Sequence, residues 1–257
     1  MGEALVKGLQ SSSHAKNYGF EATTRSKESA LEASRKLGIE CHTDNAKLAA
    51  SCKVLVLCVK PHHARAVLEE IAPKITRDHL IITIAASLTT AQVAEWSGGK
   101  AAVVRAMPNT PCLIGEGMTV YCEGSGVKPE HLKLTDAIFS TVGRAVALEE
   151  SLMDGVTGLS GCGPAYIYLV IEALSEAGVK VGLPRKTATL LAAQTLVGAS
   201  KMVLERGEHP AALKDEVTTP AGCTIDGLMA LEEGKLRVTL IKAVLAATKR
   251  SRSLSKA

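Results

Sequence analysis

The chain has 257 residues, 46% hydrophobic and 22% charged, the balance of a soluble globular protein with one large domain or two smaller ones. A formal charge of only +4, from 30 basic and 26 acidic residues, with 3% aromatics, argues against a nucleic-acid partner. Seven cysteines, odd in number and without a C-x-x-C pair, argue against a disulfide framework or a zinc site, and no metal is expected.

Residues 1–9 (MGEALVKGL) read as a helix with Ala4, Leu5 and Leu9 on its apolar face. No long apolar run or cleavable signal stands at this start, so a cytoplasmic protein without a membrane partner is expected. Strands are expected at 18–24, 39–43, 53–59, 80–86, 101–107, 118–122 and 145–149. Helices are expected between them at 26–37, 45–50, 62–75, 89–96 and 128–142. KVLVLCV (53–59) and LIITIAA (80–86) are apolar throughout, the mark of strands covered on both faces of a parallel sheet, with Cys52 and Cys58 as small core residues. The alternation implies an α/β, Rossmann-type doubly wound domain over residues 1–149, joined by right-handed crossovers. Its ligand belongs at the carboxyl ends of the strands.

Such a domain opens with a strand, then G-x-G-x-x-G, then a helix. This chain begins at the helix, with Gly2 where the last glycine would stand, so the first strand and the first two glycines read as missing. The sheet is therefore expected to lack a central strand, and a pyrophosphate to lack its cradle. After the next strand, Thr23-Thr24-Arg25-Ser26 occupies the place where an NAD-binding chain carries a carboxylate. Hydroxyls and a guanidinium there suit the 2′-phosphate of NADP; Thr24 or Ser26 suits a helix N-cap equally well.

From residue 151 strands vanish. Helices are expected at 151–158, 166–178, 184–204, 211–217, 225–233 and 236–253, an all-helical second domain over residues 150–257. The helix at 184–204 is apolar on several sides, which points to burial against a second copy of the chain. The basic tail, Lys249-Arg250-Ser251-Arg252 and Lys256, reads as a solvated helix end. In TGLSGCGPAY (157–166), glycines and a proline interrupt a helical run. The return for that cost is close backbone approach, either to another helix or to a flat ligand such as nicotinamide. In KDEVTTPAGCTI (214–225) the chain breaks at Pro220 and a new helix opens near Ile225, with hydroxyls at Thr218, Thr219 and Thr224. Taken alone this is first a capped helix start, and second an anion site made from free N–H groups and the helix dipole.

VKP (59–61), MPNTP (107–111), GLSGCGPAY (158–166) and KDEVTTPAGCTI occur in an order and spacing that resembles the pyrroline-5-carboxylate reductase family. The resemblance runs from Met1 to about Leu254. It implies reduction of 1-pyrroline-5-carboxylate to L-proline with NADPH, and a helical domain intertwined with that of a partner in a homodimer or in larger rings such as a decamer. It further implies that Thr24, Arg25 and Ser26 hold the 2′-phosphate and that Gly2, Asn45, Cys58, Lys60 and Pro61 line the nucleotide. Ala85, Ala86 and Asn109 would flank the nicotinamide. The N–H groups of Gly222, Cys223 and Thr224, beside Thr219, would grip the substrate carboxylate, with Thr224 as the catalytic hydroxyl facing the ring nitrogen. The chain departs from the family's pattern at Cys162, Ala221, Cys223 and Glu216. Ala221, where a second glycine is usual, is expected to resist a positive φ, and Glu216 to bring an unfavourable charge toward the cofactor.

Two other expectations stand beside this one. A family member shortened at its N-terminus would fold and oligomerise without binding cofactor. A hydroxyacid dehydrogenase would need a general base, for which Lys180 is the nearest residue.

Overall fold

The computed structural model describes residues 1–255, apart from the side chains of His14 and Asn17, so Lys256 lies outside the described residues. The chain forms two compact units, residues 1–162 with the last residues from Leu245 onward, and Gly163–Val244.

The first unit runs α1 (Gly2–Ser11), β1 (Glu21–Thr23), α2 (Lys27–Leu37), β2 (Glu40–His42), α3 (Asn45–Ser51), β3 (Val54–Leu57) and α4 (Pro61–Ile71). It continues through β4 (Leu80–Thr83), α5 (Thr90–Trp96), β5 (Ala102–Met107), β6 (Gly117–Glu123), α6 (Pro129–Ser140), β7 (Gly143–Ala147) and α7 (Met153–Val156). β1 pairs with β2 in parallel, and β3-β4-β5-β6-β7 form a separate five-stranded sheet. The strands thus fall into two sheets rather than one, with no strand joining β1 to β3 among the described residues.

The five-stranded sheet is covered on both faces. Side chains alternate along each strand, so Ile81 and Val103 meet Ala64, Leu68, Ile71 and Val93 of α4 and α5. Leu80, Ile82, Ala102 and Val104 meet Leu5, Ile138 and Phe139 of α1 and α6 on the other face. This two-sided burial is why 53–59 and 80–86 are apolar without alternation.

One connection departs from the expected crossovers. β6 runs antiparallel to β5, with Val104 opposite Glu123 and Met107 opposite Val120. Residues 108–116 carry only a 3-10 turn (Thr110–Ile114) and no helix that could return the chain for a parallel strand. The strands are also shorter than their apolar runs: β1, β3 and β4 end at Thr23, Leu57 and Thr83. The residues beyond these ends, including Cys58 and 84–88, form loops at the sheet's carboxyl rim. Cys58 is accordingly exposed there instead of joining the core, whereas Cys52 does pack against it.

The glycine-rich interruption is one turn of π-helix (Thr157–Gly161), closed by the Cys162 N–H on the Thr157 carbonyl at 2.9 Å. A Cβ on Gly161 would stand 2.7 Å from Met107 Cε, so the glycine lets this turn lie directly on the end of β5. At Gly161 the close approach is to a side chain of the core.

The second unit holds α8 (Gly163–Lys180), α9 (Arg185–Arg206), α10 (Pro210–Glu216), α11 (Cys223–Glu233) and the first part of α12 (Leu236–Ser255). Gly207 ends α9 in the left-handed conformation (φ +66). Among the described residues of this unit only Ser175, Ala188 and Ala192 are buried, although α9 is long and apolar enough to cross a membrane by length and composition. Tyr168, Leu169, Leu190, Leu191, Met229 and Ile241 all face outward. So much apolar surface on packed helices marks an interface with another molecule. The basic end of α12 is exposed except at Ser251, which is buried and donates to Asp154 Oδ1 at 2.6 Å.

Candidate functional site

Parallel pairing places the ends of the strands at one rim. Leu57 lies beside Thr83 and Thr83 beside Arg105, while Thr23 lies beside His42 in the smaller sheet. Cys58, Lys60, Pro61, Ala85, Ala86 and Asn109 thus leave the large sheet at its carboxyl edge, where doubly wound folds bind their ligands. Thr24, Arg25 and Ser26 leave the small sheet in the same way, and Asn45 opens α3 after β2.

Thr24 is held by its N–H on the His42 carbonyl at 2.9 Å and by its hydroxyl on the Ser26 carbonyl at 3.1 Å. Ser26 is the N-cap of α2: its Oγ accepts the Ser29 N–H at 3.2 Å. Arg25 and Ser26 are exposed. A guanidinium, hydroxyls and a helix N-terminus thus converge on solvent, and no carboxylate pairs with Arg25 among the described residues. The N-cap reading of Ser26 therefore holds, with Arg25 exposed beside it. Asn45 is partly engaged, donating to Glu70 Oε2 at 2.9 Å.

α1 begins without a side-chain cap, leaving its first N–H groups to a ligand or to water. Gly2 lies against the end of β3, where an added Cβ would sit 3.4 Å from Cys58 Cβ. An alanine there would make only ordinary contact with Cys58. Cys58 lies at this rim, and the protein packed around it desolvates the thiolate and pushes its pKa up to about 11, so it is a neutral thiol. Lys60 is the N-cap residue of α4, with Pro61 at its first position, and both are exposed. Ala85 is buried, donating its N–H to Thr83 Oγ1 at 3.3 Å, and Ala86 is half-buried.

Asn109 has a role that its motif did not announce. Its Oδ1 accepts the Met118 N–H at 2.9 Å and its Nδ2 donates to the Ser160 carbonyl at 3.2 Å. One side chain thereby ties the end of β5, the start of β6 and the π-helical turn together. Glu150, Thr90 and Arg105 are also joined here, over sequence separations that no local pattern signals.

In the helical unit, α11 starts at Cys223 with Gly222 as its N-cap residue and no side-chain capping bond. The helix therefore presents free N–H groups and a positive dipole end, and the capped-start reading is corrected. A turn builds this start: the Gly222 N–H donates to the Thr219 carbonyl at 3.1 Å, with Pro220 and Ala221 between. Ala221 occupies the left-handed region at φ +57, so it accepts the positive φ it was expected to resist. A Cβ on Gly222 would stand 2.5 Å from Thr219 Oγ1, which leaves that position to glycine. The Thr218 hydroxyl is spent on the Lys214 carbonyl at 2.8 Å, whereas no intramolecular bond engages that of Thr224 among the described residues. Cys223 is exposed.

Because left-handed Ala is strained by about 1 kcal/mol relative to Gly, Ala221→Gly is expected to raise Tm by about 2–4 °C. Thermal unfolding of the two chains checks this; a lowered Tm would show that the turn is not strained.

Glu216 does not carry a free charge. Arg206 grips it through two bonds, Nη1 to Oε2 at 2.8 Å and Nη2 to Oε1 at 2.7 Å, and also binds Glu208. The guanidinium holds the Glu216 carboxyl below its usual range, so Glu216 stays ionised but is paired, sharing Arg206 with Glu208.

The chain is similar to known proteins in sequence and fold. Residues 150–254 match the family model for pyrroline-5-carboxylate reductase dimerisation, and residues 1–87 match that for NADP oxidoreductase, coenzyme F420-dependent. Pyrroline-5-carboxylate reductase of Methanosarcina acetivorans is 43% identical over 258 residues, covering 100% of this chain and 95% of that protein. The enzyme of Pisum sativum is 39% identical, covering 99% of this chain and 93% of its own. Among solved structures, a pyrroline-5-carboxylate reductase from Coxiella burnetii superposes with a TM-score of 0.92 at 35% identity, over 100% of this chain and 95% of that one. Plasmodium falciparum pyrroline carboxylate reductase with NADP bound superposes with a TM-score of 0.85 at 35% identity, over 99% and 94%.

Proposed function

The chain belongs to the pyrroline-5-carboxylate reductase family, and from that premise we propose how its own residues serve the reduction of 1-pyrroline-5-carboxylate to L-proline. It is an NADP-dependent oxidoreductase of proline biosynthesis that works as a homo-oligomer on a small-molecule substrate.

The residues of the first unit fit the cofactor. Thr24, Arg25 and Ser26, at the start of α2, hold the 2′-phosphate through hydroxyls and a guanidinium that no carboxylate occupies among the described residues. The uncapped start of α1, where Gly2 lies close on Cys58, suits the pyrophosphate, with Asn45, Lys60 and Pro61 along the nucleotide. Ala85 and Ala86 flank the nicotinamide without competing polar groups, and Asn109 holds the adjoining turns in place. When bound, NADPH supplies the hydride.

The substrate's anionic end is held by the N–H groups of Cys223 and Thr224 at the uncapped start of α11, beside Thr219; the Gly222 N–H, also expected there, is instead spent on the Thr219 carbonyl. The Thr224 hydroxyl, free of internal partners among the described residues, orients the ring nitrogen. Cyclic imines are already electrophilic once protonated, so holding donor and acceptor carbon about 3–3.5 Å apart is the main task, and no strong acid is required of the protein. The uncapped α11 start with its unengaged hydroxyl is the observation that carries this reading.

The oligomer is proposed to be a homodimer through the helical unit, assembled further into rings such as a decamer, which light scattering would measure. The exposed apolar side of α9 is taken up in that assembly rather than by a membrane. All seven cysteines are free, which suits the reducing conditions of the cytoplasm.

Purified chain given NADPH and 1-pyrroline-5-carboxylate is expected to oxidise the cofactor and form proline. Folded, oligomeric protein that consumed none would overturn the reading. Calorimetric titration with NADPH separates the reading from a chain that folds without binding cofactor, because that chain would release no heat. Arg25→Ala is expected to raise KM for NADPH about 10–100-fold, the worth of a charge-assisted bond, with KM for NADH little changed. Equal effects on both cofactors would remove Arg25 from the 2′-phosphate.

A further inference from the structure

We propose that Glu150 is a positioning residue that holds the loop of residues 84–89 in the shape in which Ala85 and Ala86 meet the nicotinamide; this rests on the site reading given above. Glu150 opens a 3-10 turn (Glu150–Leu152) after β7. Its carboxylate reaches across to the first residue of α5: Oε1 accepts the Thr90 N–H at 2.8 Å and Oε2 accepts the Thr90 hydroxyl at 2.7 Å. Arg105, on β5 with its side chain only 5% exposed, stands with Nη1 3.5 Å from the same Oε1. A buried guanidinium needs a counter-charge, so this pairing keeps the carboxylate where Thr90 can use it.

Local capping leaves the Thr90 N–H without a partner, and Glu150 supplies it from a distant part of the chain. α5 already has a capping box, with the Thr89 N–H on Gln92 Oε1 at 2.9 Å and the Gln92 N–H on Thr89 Oγ1 at 3.2 Å. Glu150 adds a second, long-range anchor at the place where the loop after β4 ends. The other end of that loop is anchored as well, by the Ile84 N–H on the Leu57 carbonyl at 3.1 Å and by the Ala85 N–H on Thr83 Oγ1. Between the anchors Ser87 sits at φ +66, a left-handed conformation that a non-glycine residue keeps only when its surroundings over-determine it. Loosening the Thr90 end lets Ser87 relax, and Ala85 and Ala86 move with it. The carboxylate thus touches neither cofactor nor substrate, and acts through Thr90.

Thr90→Val and Glu150→Gln, alone and together in the full-length assembled chain, test this. Thr90→Val removes one bond and leaves the Arg105–Glu150 pair intact, which protects the fold. The single tryptophan, Trp96, closes α5 and gives an activity-independent readout through energy transfer to bound NADPH. Each variant is expected to raise Kd for NADPH about 5–10-fold and to lower kcat about 10-fold. KM for 1-pyrroline-5-carboxylate at saturating NADPH should stay unchanged, and the double variant should be no worse than the worse single one. Folded variants with wild-type Kd and kcat, or with a lowered Tm as the only change, overturn the proposal and leave Glu150 a purely structural anchor. Unaltered chain that neither binds nor oxidises NADPH overturns the functional reading first, and this proposal with it.

Discussion

Thr224→Ala is expected to lower kcat about 100-fold while leaving Kd for NADPH unchanged. A hydrogen bond to a charged group contributes about 1.5–3 kcal/mol, and losing one that orients the protonated imine for hydride transfer appears in the rate at about tenfold per 1.4 kcal/mol. The substitution leaves the helix standing. Thr224 lies in the first turn of α11, its side chain supplies no cap, and Ala is a good helix former. NADPH affinity is preserved because every residue assigned to the cofactor belongs to the other unit. Steady-state kinetics with a separate cofactor titration checks both halves. Wild-type turnover would remove Thr224 from the reaction, and a matching loss of cofactor affinity would make it part of the nucleotide site.

Leu190→Glu is expected to dissociate the oligomer. Leu190 is 66% exposed on α9, a helix whose buried residues are only Ala188 and Ala192, and it lies inside the segment that matches the dimerisation family model. Covering a leucine by a partner stabilises the assembly by about 1.5–3 kcal/mol, and a carboxylate in its place must be desolvated without a counter-ion at a cost of several kcal/mol more. In a symmetric pair the substitution enters twice. Light scattering at micromolar protein should show the monomer mass, with NADPH still bound by the first unit. An oligomer that stays intact with the substitution in both subunits would place the contact on another helix face.

Much of the α/β unit was legible in the sequence. Continuous apolar runs at 53–59 and 80–86 identified strands covered on both faces, and β3 and β4 are so covered by α4, α5, α1 and α6. Thr24-Arg25-Ser26 announced both an N-cap and an anion-facing surface, and the structure gives Ser26 the cap while leaving Arg25 exposed. Strand ends were less legible. An apolar run continues past the last ladder bond, so Cys58 read as core although it stands at the rim. The antiparallel β6 was missed because the pattern of strand and helix does not encode direction; the length of the connection does.

Local sequence by itself determined where most helices and strands form, that the helix at 184–204 is apolar on several sides, and which short stretches carry hydroxyls, glycines and a guanidinium. Those properties follow from periodicity, capping and residue chemistry within a few positions. Only the tertiary structure decided that Asn109 spends its amide on two backbone groups, that Glu216 is paired with Arg206, and that Glu150 reaches Thr90 and Arg105. Each of those bonds spans residues that no helical or strand period relates, so their partners exist only once the chain has closed on itself. The α11 start lies between the two. Its turn residues were visible in TTPAGCT, but the absence of a side-chain cap is a fact of geometry.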